Sequence, residues 1–571
     1  MSPTRFRALL PAFAVVLACA SPAAAEESRT EAPVVTSSPV TSVAESVVRV
    51  KVPLPASAGA RPAACDWLSY LRFRHVDGPA ESADADRILI AQPGVLEGAG
   101  AFDSVARNTI VRAAAQGRHL EFWALDRRSN CLEDRTGVLA GLAAEDARTA
   151  VDYYYRGKEI DGRTFAGYPS NDQVAWLQNV GLEQTVRDQY DLMVRELPDA
   201  AVRKEKVLCG GHSLGGIITA FFAQWDFDHD PATKDDAGFN QCSGYFALDT
   251  RIGTALPGTA QARAVPTDTT PGIDLGPEFV ELGLKLGFIP RTLSAPAVIN
   301  SETMNLLAIT GLSADLDPDG QSDLAAYIPA GPNTEDTYRL LFSKDYATFF
   351  RGSPTVRDFR ITNAGVLGAL LDDNSQPLAF MQASVGFFSG GRLADKSFPV
   401  PGDLVKTPGF EGLAKLVGTE KKAIPDEPNG PLYTWLDYDR LDETVARSAD
   451  GTPFTTPAKE VTSISELARS LAEHPLDFTE HFFPTRLVTD IALASSPQVA
   501  EDAVHPEGVK ANPTITLLAG DGILAGTPTD DVFGTLVIAP GYQHIDVLTA
   551  AATQNDGEPE PVSTALADFA G

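Results

Sequence analysis

The sequence predicts an α/β fold in which a mostly parallel sheet of about eight strands is flanked by helices and interrupted by one large insertion. Short apolar runs alternate with helical patterns over residues 46–253, the arrangement that produces a parallel sheet covered by helices. The segment 254–510 lacks this alternation and is broken by many prolines and glycines, and the alternation resumes over 511–571. A chain of 571 residues also exceeds one ordinary core, which favours a second unit or a large insertion.

Within the alternating regions, apolar runs predict strands, and apolar positions about 3.6 residues apart predict helices. The predicted strands are 47–52, 67–73, 87–91, 120–125, 206–209, 244–248, 514–519 and 535–539. The predicted helices are 102–113, 182–197, the apolar stretch that follows residue 213, and 562–569. The last two strands and the last helix follow the insertion, so both ends of the alternating pattern are expected to build one sheet.

The N-terminal 25 residues have the features of a signal peptide. Two arginines precede an apolar run over residues 9–18, and three alanines precede Glu26. We therefore expect cleavage after residue 25 and a secreted or periplasmic protein. Lipid anchoring at Cys19 is the alternative, because the residues before this cysteine resemble a lipoprotein processing site. Residues 26–45 are rich in Ser, Thr, Pro, Glu and Ala and are expected to form a flexible leader.

The formal net charge of −30 limits the classes of partner. Nucleic acids and anionic membrane surfaces are polyanions that would repel this chain, so they are excluded as main partners. After the N-terminal run, no stretch approaches 18 uninterrupted apolar residues, and no transmembrane segment is predicted. The charge is interpreted as a contribution to solubility, and the oligomeric state is left open.

Removal of the signal peptide leaves four cysteines, and an even number in an oxidising compartment favours two disulfides. Three pairings are possible. We prefer Cys65 with Cys131 and Cys209 with Cys242, because each pair joins segments expected to lie close together in the predicted fold. Free buried thiols are the alternative, above all for Cys209, which lies within an apolar strand.

Residues 211–215, Gly-His-Ser-Leu-Gly, form the only G-x-S-x-G motif of the chain. The motif lies where a predicted strand meets a predicted apolar helix, and its glycines permit the tight bend that presents Ser213 above the sheet. The backbone N–H of Leu214, at the start of the helix, is then placed to stabilise an oxyanion. We predict Ser213 as a nucleophile, with a plain glycine turn as the alternative.

A second oxyanion donor is expected, because the loss of one donor typically costs about 2.7–4 kcal/mol of barrier. Residues 92–96, Gln-Pro-Gly-Val-Leu, form the loop after the third predicted strand. The backbone N–H of Val95 is the candidate in this loop. An ordinary exposed loop is the alternative.

A serine nucleophile needs a base, and a histidine with a pKa near neutral suits that role. Of the eight histidines, only His544 follows the last predicted strand, which returns to the edge of the sheet where the motif lies. We predict His544 as the general base. A structural surface histidine is the alternative.

Two carboxylates compete to orient this histidine. Asp521 follows the penultimate predicted strand and gives the chain order Ser, Asp, His, so it is our first choice. Asp249 follows the strand next after the nucleophile and is the second choice. Asp546 is a more distant third, because it lies only two positions from His544.

These residues resemble the α/β-hydrolase superfamily over 46–253 and 511–571. The motif at 211–215, the turn at 93–95 and the late His544 fall where that family places its nucleophile, oxyanion loop and base. The resemblance implies an eight-stranded sheet, acyl-enzyme chemistry, and a cap over 254–510 that decides substrate choice.

The function predicted from the sequence is a secreted esterase or lipase-like serine hydrolase that acts on a small-molecule or lipid-like ester. Its chemistry requires no organic cofactor, and we assign no metal ligands. A peptidase, thioesterase or acyltransferase would use the same residues. A non-catalytic exported binding protein is the alternative from another class, because a fold does not by itself specify an activity.

One acidic segment inside the insertion resembles a calcium-binding loop. It begins Asp315-Leu316-Asp317-Pro318-Asp319-Gly320 and continues to Asp323, but Ala326 stands where the loop needs a glutamate. We interpret the segment as a solvated acidic turn.

Overall fold

The computed structural model describes residues 28–255, 277–295, 299–400, 417–418, 420–442, 445–493, 497–530 and 532–571. The predicted signal peptide over 1–25, with Cys19, lies outside these residues. The strands are β1 (Arg29–Pro33), β2 (Val43–Lys51), β3 (Trp67–His75), β4 (Arg87–Gln92), β5 (Leu120–Asp126), β6 (Val207–His212), β7 (Gly244–Leu248), β8 (Arg360–Ile361), β9 (Phe387–Ser389), β10 (Leu393–Asp395), β11 (Ala423–Pro425), β12 (Leu432–Leu436), β13 (Thr514–Ala519) and β14 (Thr535–Ala539).

The α-helices of the described residues flank these strands or lie between β7 and β13. They are α1 (Asp103–Ala115), α2 (Thr136–Ala144), α3 (Ala147–Arg156), α4 (Leu182–Glu196), α5 (Ala200–Lys206), α6 (Leu214–Gln224), α7 (Pro277–Leu286), α8 (Ser301–Leu316), α9 (Leu324–Tyr327), α10 (Pro332–Phe342), α11 (Tyr346–Arg351), α12 (Asn363–Leu371), α13 (Ile464–Ala472), α14 (Thr485–Ala492), α15 (Pro497–Ala500), α16 (Asp546–Thr549) and α17 (Pro561–Phe569). None of these helices is both long and apolar enough to cross a bilayer.

Nine strands form one sheet in the order β1-β2-β3-β5-β4-β6-β7-β13-β14. From β5 to β14 all neighbours are parallel, whereas β1, β2 and β3 are antiparallel at one edge. All residues of β6 and all of β4 except Arg87 are buried, because parallel strands in the middle of the sheet are covered on both faces. The eight strands predicted from the sequence are all present, and the predicted α/β fold is confirmed.

The ninth strand, β1, lies where a flexible leader was expected. Arg29–Pro33 pairs antiparallel with β2, and Glu31 of this strand forms a salt bridge of 3.2 Å with Arg72 of β3. The leader prediction for 26–45 is therefore wrong for these residues. Four of the five residues of β1 are exposed, so this edge strand has no alternation of apolar side chains by which it could be predicted.

Helices cover both faces of the sheet, and alternate residues of one strand enter different cores. In β4, Leu89 packs in a core with α1 and α17, whereas Ile88 and Ile90 pack in a second core with α4 and α6. This arrangement holds the parallel strands in register. The carboxyl ends of β4, β6, β7, β13 and β14 therefore meet along one rim of the sheet.

The chain between β7 and β13 is the large insertion that the sequence predicts. Its described residues contain α7–α15 and two small sheets, β10-β11 and β8-β12-β9. Leu467 and Leu471 of α13 lie in the same core as α1, and Phe483 and Leu487 lie in the core of α4 and α6. The insertion is therefore packed against both layers of helices.

Two disulfides join Cys65 to Cys131 and Cys209 to Cys242. The first ties the segment before β3 to the segment after β5, and the second ties β6 to the segment before β7. The preferred pairing is confirmed, and the alternative of a free thiol at Cys209 is wrong.

Candidate active site

The motif 211–215 forms a sharp turn between β6 and α6. Ser213 has φ 51° and ψ −116°, a strained conformation for a residue with a side chain. Glycine is needed on both sides, because a Cβ added to Gly211 or to Gly215 would collide with the carbonyl oxygen of Gln92. The turn places Ser213 in the wall of a cavity at the rim of the sheet.

His544 lies in the turn between β14 and α16, and its imidazole faces the end of β7. Nδ1 of His544 is 2.5 Å from Oδ2 of Asp249, and both side chains are buried. Oδ1 of Asp249 accepts a hydrogen bond of 3.0 Å from the backbone N–H of Ala519. A carboxylate only accepts, so Nδ1 carries the proton and Nε2 is left as the basic nitrogen.

The electrostatic surroundings favour the neutral form of this imidazole. Burial and the nearby imidazole of His212 lower the pKa of His544, and the hydrogen bond to Asp249 offsets only part of that effect. A neutral imidazole is the form that can accept a proton.

Asp521, the first choice from the sequence, does not contact His544. Its carboxylate lies 3.9 Å from Nζ of Lys459, and its backbone N–H donates to the carbonyl oxygen of Tyr542 at 2.9 Å. The space beside the end of β13 is taken by Asp249, because a Cβ added to Gly522 would lie 2.7 Å from Oδ2 of Asp249. The structure therefore reverses the order of the two candidates.

Asp546, the third candidate, is also directed away from the imidazole of His544. Its carboxylate accepts hydrogen bonds of 2.7 Å from the hydroxyl of Thr462 and from the backbone N–H of Gln543, and one of 2.9 Å from the N–H of Ser384. Asp546 thus anchors the turn that contains His544 to two residues of the insertion.

The loop after β4 approaches Ser213 closely. A Cβ added to Gly94 would lie 3.0 Å from Cβ of Ser213, and Val95 lines the same cavity as that serine. The guanidinium of Arg127 donates hydrogen bonds to two carbonyl oxygens of the loop. In the described chain, no hydrogen bond engages the backbone N–H of Val95 or of Leu214. Both predicted oxyanion donors are therefore available to a ligand.

A second histidine–carboxylate pair, which was not predicted from the sequence, lies beside Ser213. Nδ1 of His212 is 2.8 Å from Oε2 of Glu97, and its Nε2 is 3.0 Å from the carbonyl oxygen of His544. A carboxylate and a carbonyl oxygen both accept hydrogen bonds, so this environment favours the imidazolium form of His212, with a proton on each ring nitrogen. Burial opposes this charge, but the Glu97 carboxylate outweighs burial and raises the pKa of His212. The only signal in the sequence was the position of His212 inside the motif.

The cavity at this rim has a volume of about 340 Å³. Its polar lining consists of Glu97, His212, Ser213, Thr479 and His544, and all its other lining side chains are hydrocarbon or thioether. Among the described residues, no hydrogen bond joins the Ser213 hydroxyl to His544, whose Nδ1 is bonded to Asp249. The shared cavity nevertheless brings the two predicted residues together, although they are far apart in sequence.

The decisive observation is the combination of this site with the sheet. A strained serine follows a central parallel strand, the order along the chain is Ser213, Asp249, His544, and unengaged N–H groups come from the residue after the serine and from the loop after β4. The chain has the α/β-hydrolase fold. In this fold, side chains at the carboxyl rim of the sheet carry the chemistry.

Comparisons with known proteins find weak likenesses to hydrolases of this fold. No protein-family model matches the sequence, and no curated protein matches it. One solved structure that it resembles is the peroxisomal α/β-hydrolase Lpx1 from Saccharomyces cerevisiae, with 10% identity, a TM-score of 0.31, and coverage of 93% of this chain and 90% of that chain. Another is the epoxide hydrolase VrEH1 from Vigna radiata, with 9% identity, a TM-score of 0.26, and coverage of 88% and 94%. The strand order of the sheet and the turn at Ser213 are the features that identify the fold.

Proposed function

We propose that the chain is an exported serine hydrolase that cleaves carboxylic esters through an acyl-enzyme intermediate. The observation that carries this proposal is the strained Ser213 in one cavity with an imidazole that is oriented by a buried carboxylate. The two disulfides support export, because such bonds persist in oxidising compartments.

The proposed reaction has two steps. Nε2 of His544 takes the proton of Ser213, and Oγ attacks the ester carbonyl carbon while the N–H groups of Val95 and Leu214 hold the oxyanion. The bond to the alcohol breaks, and His544 gives its proton to the departing alkoxide. Water then attacks the acyl-enzyme with His544 again as base, which releases the acid and restores Ser213. Asp249 orients the imidazole and stabilises its charged form.

The lining of the cavity is mostly apolar, which supports a substrate whose apolar chain lies in the cavity. The insertion supplies this surface through Met304 and Leu307 of α8, Leu467 and Leu471 of α13, and Met381. The polar groups of the lining include Ser213 and His544, which are proposed to react. They also include Glu97 and His212, which bond each other, and His212 also bonds the carbonyl oxygen of His544. Few polar partners are therefore left for a peptide backbone, which favours an ester with an alkyl chain over a peptide.

We expect the protein to hydrolyse p-nitrophenyl esters with a preference for longer unbranched acyl chains. Each buried methylene contributes about 0.8 kcal/mol, so kcat/KM should rise roughly fourfold per methylene from acetate until the cavity is filled. Most of the gain should appear as a lower KM, because the chain binds equally in the ground and transition states. Steady-state kinetics over acetate, butyrate, hexanoate and octanoate test this expectation.

A pair of matched variants shows whether the cavity sets the chain preference. Ala383 lines the cavity, whereas Ala379 is buried in the same part of the insertion but does not line it. Ala383→Leu should shift the optimum to shorter chains, and Ala379→Leu should leave it unchanged. A flat chain profile would contradict the apolar-chain assignment, and the absence of hydrolysis of every ester would contradict the ester hydrolase.

The charged His212 should also set the pH dependence of the reaction. His212→Gln removes a positive charge that lowers the pKa of His544, so that pKa should rise. Since His544 must be neutral to act as base, the acid limb of the kcat/KM profile should move to higher pH. His505→Gln, at another buried histidine, is the control and should leave the limb in place. A limb that moves to lower pH in His212→Gln would refute the imidazolium.

A further inference from the structure

We propose that Asp226, Asp228 and Asp236 bind a divalent cation of the calcium class in the loop that joins α6 to β7. Each side chain can offer one carboxylate oxygen, and these oxygens lie within 4.8 Å of one another. Calcium contacts its oxygen ligands at about 2.3–2.6 Å, so one ion placed between oxygens of this spacing would lie at or close to bonding distance from all three.

Two of these carboxylates have oxygen atoms that are shielded from water and have no hydrogen-bond partner among the described residues. Asp226 is only 1% exposed, and its Oδ1 is unpartnered. Both carboxylate oxygens of Asp236 are also inaccessible to water and unpartnered. An anionic oxygen without water or a donor is costly, and buried charges are normally paired or coordinate a metal. The lack of hydrogen-bond donors for these oxygens therefore points to a positively charged group that binds between the carboxylates.

The protein does not supply that positive group itself. In the described part of the chain, none of the three carboxylates forms an ion pair. The two basic side chains of the same loop bind elsewhere: His229 is 2.7 Å from Asp502, and Lys234 is 2.7 Å from Glu507. Three carboxylates this close together repel one another when no cation lies between them.

The position of the loop also favours a cation. Helix α6 ends at Gln224, two residues before Asp226, and the C-terminal end of a helix carries a partial negative charge. The cluster contains carboxylates but no histidine or cysteine, which fits a hard cation rather than zinc or copper. Calcium is favoured over magnesium because an irregular loop more readily meets its flexible geometry.

The acidic segment that the sequence analysis compared with a calcium loop has a different environment. Asp317, Asp319 and Asp323 are exposed, and Asp323 pairs with Arg148. These side chains form no cluster with converging oxygens among the described residues. This turn differs from the loop after α6 because its carboxylates are exposed and because Arg148 supplies a positive charge to one of them.

The expected consequence of binding is structural. Helix α6 begins at Leu214 and has 11 residues, so the cluster lies about 16 Å along the helix from the motif that carries Ser213. A cation there would fix the loop between α6 and the Cys209–Cys242 disulfide without contacting the substrate cavity. The proposal is therefore independent of the ester hydrolase activity, and each can fail without the other.

The test is thermal unfolding and calorimetric titration of the full exported chain. After treatment with EDTA and dialysis, added CaCl₂ should raise the Tm by about 2 °C or more, and calorimetry should detect a site for calcium. MgCl₂ should bind at least tenfold more weakly. A protein whose Tm is unchanged by millimolar calcium and which shows no binding heat would overturn the proposal.

Neighbouring aspartates provide the matched variants. Asp236→Asn should abolish the calcium-dependent rise in Tm, whereas Asp235→Asn, at an exposed residue outside the cluster, should keep it. Asp228→Asn, at an exposed position, repeats the test if Asp236→Asn fails to fold. A calcium response of full size in the cluster variants would show that the ion binds elsewhere. A Tm for wild type that rises on acidification but never with calcium would show that a shared proton, not a cation, joins the carboxylates.

Discussion

Replacement of Ser213 by alanine is expected to lower kcat for ester hydrolysis by on the order of 10⁶-fold, the scale on which serine hydrolases lose activity without their nucleophile. The substitution removes only Oγ and retains the Cβ that the strained turn already accommodates. The remaining rate would come from the oxyanion donors and substrate binding alone. The Tm of the variant should therefore stay near that of the wild type.

A fluorophosphonate probe provides the second measurement for this variant. The wild-type protein should be labelled at Ser213 only, and Ser213→Ala should not be labelled. Ser243→Ala is the matched control, because Ser243 lies before β7 and its hydroxyl donates to the carbonyl oxygen of Val207. An unlabelled wild-type protein would favour the non-catalytic binding protein, and retained turnover in Ser213→Ala would refute the nucleophile.

The sequence predicted the sheet well because buried parallel strands leave a strong pattern. The runs at 88–91, 207–209 and 244–248 contain no charged residue and are buried, since both faces of these strands are covered, and each leads into a turn of the candidate site. The motif at 211–215 identified the turn that exposes Ser213, because its glycines are required by close approach of Gln92. Local pattern was sufficient wherever burial or a tight turn dictated the residue type.

Features that depend on contacts across the sheet left no such pattern. Strand β1 is an exposed edge, and its pairing with β2 is visible only in three dimensions. The charge of His212 depends on Glu97 and on the carbonyl oxygen of His544, which come from different loops. The spacing of residues in the sequence could not decide between Asp249 and Asp521. Strands β7 and β13 are parallel neighbours, so both aspartates lie at the same rim of the sheet.

Replacement of Asp249 by asparagine is expected to lower kcat by about 10⁴-fold, the effect of losing the carboxylate that orients a catalytic histidine. The carboxamide introduced by Asp249→Asn would retain an oxygen to accept from the Ala519 N–H, so the contact at β13 is preserved. Its amide group would donate to Nδ1 of His544, which moves the ring proton to Nε2. The nitrogen that faces the substrate would then be unable to accept the proton of Ser213.

The same change at Asp521 separates an orienting role from a general effect of charge. Asp521→Asn removes a negative charge from the next loop of the rim, but it breaks only a 3.9 Å contact with Lys459 and no contact with His544. Its kcat should therefore stay within about threefold of the wild type, because a partly exposed charge of this kind is largely screened by solvent. The ratio of kcat in the two variants, measured on one p-nitrophenyl ester at saturating concentration, is the deciding quantity. A larger loss in Asp521→Asn than in Asp249→Asn would mean that the site rearranges before it reacts and that the acid after β13 takes over the imidazole.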